Sequence, residues 1–243
     1  MTAPRRTVRL EHRLTRPSAS LAELDAAIGL VLEHHLDSLA VSPWLVRAAT
    51  RGLARSPVRI ATVIGFPHGG QVSAVKAYEA SKALEDGATQ LDFVLNAGAL
   101  LSGDDGAVLS DMLAVVEMAH SALAATGVIV QSGLLDEELL RRACRLAARA
   151  GVDYVVTSTT DQPASASVQS TSFLRRVVGD QIEVKAAGDF GDLAEVRAAA
   201  SAGADRISTF FSAQLAAAAA AWLRESASLS SQPSLADLGA AVG

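Results

Sequence analysis

The chain has 243 residues and a mass of 25.0 kDa, which suits one α/β domain or two small ones at about 150 residues per domain. Half of it is hydrophobic, 4% is aromatic and 19% is charged, which excludes a disordered or collagen-like polypeptide. A net charge of -5 without any Lys/Arg run argues against a nucleic-acid partner, because neutralising a phosphate backbone needs clustered positive charge.

The N-terminus, MTAPRRTVRLEHRL, is basic but has no apolar export core. No apolar stretch reaches the roughly 18 residues that a membrane span needs. A cytoplasmic protein with no membrane partner is expected. From residue 8 onward, short β-branched or apolar runs alternate with longer segments of helical periodicity, the signature of βα units around a parallel sheet. The runs are 8–14, 38–42, 59–66, 90–96, 128–132, 154–159, 182–188 and 206–211. Helical stretches such as LAELDAAIGLVLEHH, VSAVKAYEASKALEDG, DEELLRRACRLAARAG and LAEVRAAASAG separate them, most closed by a glycine that suits a left-handed cap. The single cysteine, Cys144, falls in one of these helices, so neither a disulfide framework nor a multi-cysteine metal site is expected. Eight strands alternating with helices predict a single-domain (β/α)8 TIM barrel over residues 1–225. An open doubly wound sheet is the alternative, but no glycine-rich dinucleotide fingerprint follows the first run. Residues 226–243 are Ser-rich and read as a linker tail with a weak terminal helix.

In such barrels chemistry sits at the C-terminal ends of the strands. The polar residues in or just after the runs are therefore the candidates: Glu11, His12, Asp92, Gln131, Thr157, Ser158 and Lys185. Lysines are scarce, with only Lys76, Lys82 and Lys185 in the chain. Lys76 and Glu79 are i, i+3 neighbours on a predicted helix and read as a solvated pair. Lys185 lies inside a strand run, where burial of an ammonium is costly unless it is paired or made neutral, and a neutral lysine attacks carbonyls. Asp92 follows the same logic with opposite sign, as a partner for that lysine or as a general acid/base. His34, His35 and His120 read as surface residues on helices, and His68 in GFPHGG as loop-shaping or chemical. No His/Asp/Glu cluster has metal-ligand spacing, and neither a metal nor a cofactor is expected.

The blocks IATVIGFPHGG, VKAYEASKALEDGA, LDFVLNAGALLSGD, VIVQSGLLDEELLRRAC, AGVDYVVTSTT and VKAAGDFGDLAEVRAAASAGADRIST resemble, in order and spacing, those of the deoxyribose-phosphate aldolase family, class I aldolases on a (β/α)8 barrel. The resemblance runs from about Leu10 to Thr209. It implies the barrel fold and carbonyl chemistry, but with altered site residues. The family forms its imine on the lysine of a V-K-T-S-T-G block. Here that position is Val156, and an isopropyl group has no lone pair to form an imine. The family's second lysine, in V-K-A-A-G-G, is matched by Lys185, and its proton-transfer aspartate by Asp92. Gln131 stands for the carboxylate of the I-I-E-T block, Gly127 for the lysine that opens it, and Glu11 and Arg13 for the aspartate and threonine of a D-H-T block. The C-terminal tyrosine of some members has no counterpart.

The family's phosphate site is built from backbone amides of a glycine pair and of a G-T-S-S turn. The corresponding residues here are Gly188-Asp189 and Ser208-Thr209-Phe210-Phe211. A carboxylate repels an anion and phenylalanines remove donors, so the expected substrate is a small carbonyl compound without a phosphate. The resemblance implies Lys185 and Asp92 as catalytic groups, and Glu11, Gln131, Val156, Ser158, Asp189, Phe210 and Phe211 as substrate contacts. The expected activity is that of a diverged lyase or cyclase in which Lys185 has taken over imine or acid/base work, and not ordinary deoxyribose-phosphate cleavage. Two alternatives stand beside it. One is an isomerase or dehydratase that makes no imine and uses Asp92 and Lys185; the other is a non-catalytic binding or regulatory subunit with a structural Lys185–Asp92 salt bridge. A homodimer is the expected assembly.

Overall fold

A computed structural model describes residues 7–159 and 164–230 of the chain, with side chains in the second segment from 167 to 228. The elements run β1 (Arg9–Leu14), α1 (Leu21–Glu33), β2 (Ser38–Val41), α2 (Val46–Leu53), β3 (Arg59–Ile64), α3 (Ser73–Glu85), β4 (Gln90–Val94), α4 (Ala97–Leu101), α5 (Asp105–Ser121), β5 (Ala125–Ile129), α6 (Glu137–Ala150), β6 (Tyr154–Val156), α7 (Ala164–Val178), β7 (Glu183–Ala187), α8 (Leu193–Ser201), β8 (Arg206–Thr209) and α9 (Ala213–Ser230). The strands pair in sequence order and β8 closes on β1, all parallel. This is a single-domain (β/α)8 TIM barrel.

Local chemistry accounts for the helices. Ser20 and Glu23 form a reciprocal capping box at the start of α1. Asp136 caps α6, whose buried Leu140, Ala143, Ala147 and Ala150 recur at helical spacing, and Gly151 ends it in the left-handed region. These apolar stripes pack on the outside of the barrel and, with the outward residues of the strands, form the main core. A second, smaller apolar cluster of Val94, Ile129, Tyr154, Val156 and Ala187 lies inside the barrel. Period-two alternation along each strand separates the two sets.

Three sequence expectations need correction. The fifth strand spans Ala125–Ile129, not 128–132, because Thr126 and Gly127 blur the apolar pattern at its start while Gln131 adopts a φ of 50° and turns the chain away. Helix α9 continues to Ser230, so residues 226–230 are helical and not linker, and the rest of the expected tail, with its weak terminal helix, lies outside the described residues. Lys76 is fully buried rather than solvated. Its ammonium is 2.5 Å from Asp111 on α5 and donates to the Val94 carbonyl at 2.8 Å, while Glu79 accepts from the Gly65 amide.

Candidate active site

Registered neighbours on parallel strands face the same way, and this places the polar groups of the barrel interior. Lys185 on β7 is level with Val156 on β6 and with Arg206 on β8. Glu11 on β1 is level with Ser38 and Ser208, and Asp92 on β4 with Val63 and Gly127. Their side chains meet at the axis. The Lys185 ammonium is 2.6 Å from Asp92 Oδ2 and 2.7 Å from Glu11 Oε1. It donates to Glu11 Oε2 at 2.9 Å, where Ser38 Oγ donates as well at 3.0 Å. Glu11 Oε1, although close to the ammonium, is buried without a well-directed donor. The Tyr154 hydroxyl donates to Asp92 Oδ1 at 2.6 Å, and the ammonium lies 5.2 Å from the Tyr154 ring centre.

Below this trio the barrel is sealed. The Arg206 guanidinium carbon lies 4.1 Å from the centre of the Tyr154 ring; the group donates to Glu183 and Gln90, and shares Glu183 with Arg9. Arg9, Gln90, Tyr154, Glu183 and Arg206 each open a strand, so among the described residues they fill the N-terminal end of the barrel and leave the C-terminal end for a ligand.

The two carboxylates have opposite tendencies. Burial would raise Glu11, but the adjacent Lys185 charge and hydrogen bonds from Lys185, Ser208 and Ser38 outweigh it and hold the acid below its usual range. For Asp92 burial prevails, helped by the negative charge of Glu11, over the pull of Lys185 and Tyr154; its proton is held more tightly than usual. Burial and the neighbouring Asp92 push Tyr154 well above 10, which keeps it a hydrogen-bond donor. Two acids in one site with diverging proton affinity are the arrangement that acid/base chemistry uses.

Above Lys185 lies a cavity of about 20 Å3, floored by Glu11, Asp92 and Lys185 and walled by Val63, Ile129, Val156 and Ser158. By this measure a water needs roughly 10–15 Å3, so the space holds about one. Arg13, Thr15, Phe66 and Thr159 line both this cavity and a wider bowl of about 370 Å3, which Arg16, Pro17, Pro67 and Phe210 complete. The bowl falls within the roughly 300–1,000 Å3 of small-molecule sites.

Of the residues singled out from the sequence, Lys185, Asp92, Glu11, Val156 and Ser158 converge on the cavity and Phe210 lines the bowl. Gln131, Asp189 and Phe211 line neither. Gln131 has left the strand and donates to the Pro67 carbonyl at 3.3 Å, and Asp189 is exposed. Phe211 is buried in the outer core, its amide donating to His12 Nδ1. Adjacent residues after a strand point opposite ways, and only Phe210 faces the ligand side. Sequence reading missed Tyr154, although period two from Val156 puts it on the same inward face. It also gave Arg13 no role at the pocket.

A family model described as DeoC/LacD family aldolase matches residues 8–221. The chain is 37% identical to the deoxyribose-phosphate aldolase of Staphylococcus carnosus over 82% of this chain and 89% of that protein. It is 38% identical to that of Streptococcus pneumoniae over 82% and 90%. Among solved structures it is similar to deoxyribose-phosphate aldolase from Aeropyrum pernix, with a TM-score of 0.76 and 28% identity over 92% of this chain and 91% of that one. It is also similar to a putative deoxyribose-phosphate aldolase from Coccidioides immitis, with a TM-score of 0.79 and 26% identity over 91% and 85%. Likeness of this extent, carried by sequence and barrel together, makes the chain a member of the DeoC/LacD aldolase family, an aldolase-like lyase.

Proposed function

We propose that this lyase acts on a small, unphosphorylated carbonyl compound by proton transfer, with Asp92 and Lys185 as the acid/base pair and no imine on the enzyme. One observation carries the reading: Lys185 is clamped between two carboxylates beneath a space for about one water. Forming a carbon–nitrogen bond requires the carbonyl carbon to touch the amine, whereas a proton crosses a single water. Asp92, acting as base through that water, takes a proton from the carbon next to the carbonyl. The C–H electron pair moves to the carbonyl oxygen, and the Lys185 charge steadies the enolate. Returning a proton to that carbon through the same water, with the electron pair moving back from oxygen, completes the exchange. Val156 beside Lys185 supports the absence of a second amine, and Phe210 on the rim supports a ligand without phosphate.

A second reading is an imine on Lys185 itself, favoured by the fact that, of the three lysines, only this one lines the cavity. Proton exchange at the α-carbon of small aldehydes in D2O, followed by NMR with and without prior borohydride, separates the two. Exchange that survives borohydride with unchanged protein mass, and falls at least about a hundredfold in Asp92→Asn, is the expected result. A borohydride-fixed adduct on Lys185 replaces the proposal with the imine reading. Absence of exchange by the folded protein with every aldehyde tried overturns both.

A further inference from the structure

The floor of the cavity holds two carboxylates, Glu11 and Asp92, and one ammonium, Lys185. One cation does not balance two buried anions, so one acid takes up a proton unless further donors stand in. Glu11 accepts from Lys185 and from Ser38. Asp92 accepts from Lys185 at Oδ2 and from the Tyr154 hydroxyl at Oδ1, each at 2.6 Å, and no other side chain among the described residues donates to it. The tyrosine is held in that pose. Its ring edge lies against the bare backbone of Gly127, where even a Cβ would come within 2.0 Å, and the Arg206 guanidinium carbon lies 4.1 Å from the ring centre. Tyr154 is fully buried and does not border the cavity, so its hydroxyl serves Asp92 and not a guest.

We propose that Tyr154 is the positioning residue of the site: its hydroxyl keeps Asp92 ionised beside Glu11 and anchors the carboxylate from below, so that Asp92 meets the guest as a base. That Asp92 is the reacting base rests on the function proposed above; the control of its charge by Tyr154 does not. A phenol suits the task because it stabilises the anion without adding a second cation, which would weaken the base. Its own proton stays in place, held by burial and by the negative charge of Asp92. The charged and titratable groups around Asp92 are Lys185 from β7, Glu11 from β1, and Tyr154 from β6 with Arg206 of β8 behind its ring. Its neighbours in register, Val63 on β3 and Gly127 on β5, carry no charge. Burial raises the proton affinity of Asp92 and the Glu11 charge adds to it, against the pull of Lys185 and of the Tyr154 hydroxyl. Removing the hydroxyl therefore moves the titration of Asp92 to higher pH. Because the base works only when ionised, the rise of activity with pH moves up with it.

Infrared difference spectra of the full chain across a pH titration report Asp92 directly, as the carboxylic-acid carbonyl band that Asp92→Asn lacks. Tyr154→Phe is expected to move that titration up by about one pH unit or more, tenfold in proton affinity. The acid limb of α-proton exchange on butanal in D2O is expected to move with it, with the loss at low pH recovered at high pH. A merely structural role would lower exchange at every pH and leave the limb where it is. The chain has two tyrosines, and Tyr78 is exposed on α3. In a Tyr78→Phe background, 3-fluorotyrosine puts a more acidic phenol of nearly the same size at position 154 alone. The Asp92 titration is then expected to move down, and this arm decides the matter if Tyr154→Phe does not fold. An Asp92 band that stays put or falls to lower pH in Tyr154→Phe, or that does not fall with fluorotyrosine, overturns the inference. A band that moves as expected while the exchange limb stays put supports the control of Asp92 by Tyr154 and removes Asp92 as the reacting base, so the two readings fail separately.

Discussion

The Tyr154 ring lies so close to the β5 backbone that a methyl group on Gly127 would sit 2.0 Å from its Cε2. Glycine at 127 and tyrosine at 154 are one structural choice: the missing side chain on one strand makes room for the ring on the next, and the ring carries the hydroxyl that holds Asp92. Gly127→Ala forces the ring off Asp92 or the strands apart, and an overpacked interior costs about 1–3 kcal/mol. Urea unfolding should show that loss in the single variant and little of it in a Tyr154→Ala background, where space is available. An equal loss in both backgrounds would show that the clash is not with the ring. The pairing is hard to read from sequence, because Gly127 and Tyr154 are far apart in the chain and become neighbours only once β5 and β6 are in register. Lys185 and Asp92 were legible because a charge inside an apolar strand run is conspicuous. Phe211 was misplaced because its neighbour Phe210 has identical chemistry, and only the phase of the chain after β8 tells them apart.

Helices α3 and α5 are joined to the end of β4 by one buried ion pair. Lys76 reaches from α3 to Asp111 on α5 and to the carbonyl of Val94, two residues beyond Asp92. Breaking such a pair leaves an uncompensated buried charge, which costs about 3–5 kcal/mol. Lys76→Met should therefore lower the unfolding free energy by about that much. The Lys76→Met, Asp111→Leu double variant should recover most of it, as measured by urea midpoints. If the double variant is no better than the single, the cost is lost packing and not the orphaned acid. Local spacing suggested Glu79 as the partner of Lys76 because the two are three residues apart. Yet Lys76 shares its helix face with buried Ala80 and Ala83, and that periodicity already placed it inward. Its true partner, on another helix, is not visible to any local rule. Strand positions were readable within a few residues for the same reason that Lys185 was, since the outward faces are mostly apolar. The exception, β5, is the strand whose outward face opens on Thr126 and whose inward face carries Gly127.

One buried histidine contributes to the acid sensitivity of the barrel as a whole. His12 is buried between β1 and the start of α9, and its Nδ1 accepts the Phe211 amide, which it can do only while that nitrogen carries no proton. Its folded value of about 4 lies below the unfolded value of 6.5. The folded state therefore resists protonation; the contribution is fully present above pH 6.5 and is lost as pH falls towards 4. A shift of this size corresponds to roughly 3 kcal/mol. Glu11, also depressed, adds in the same direction below the carboxylate range, while raised Asp92 opposes it by losing stability as pH rises. Chemical denaturation between pH 7 and 4 should show a steep decline that is flattened in His12→Asn, which keeps an acceptor but cannot charge. An identical slope in the variant would move the acid sensitivity elsewhere.

The nested arrangement of a tight inner chamber under a broad vestibule has a further consequence. The four groups of the floor answer to one another, with a lysine, two acids and a tyrosine settling one another's charge deep in the strands, while the vestibule is furnished by loops and strand tips. Reaction and recognition thus occupy separate storeys of the same shaft. The upper one can be refurnished for a new guest by changing a handful of side chains, and the machinery beneath would continue to run unaltered.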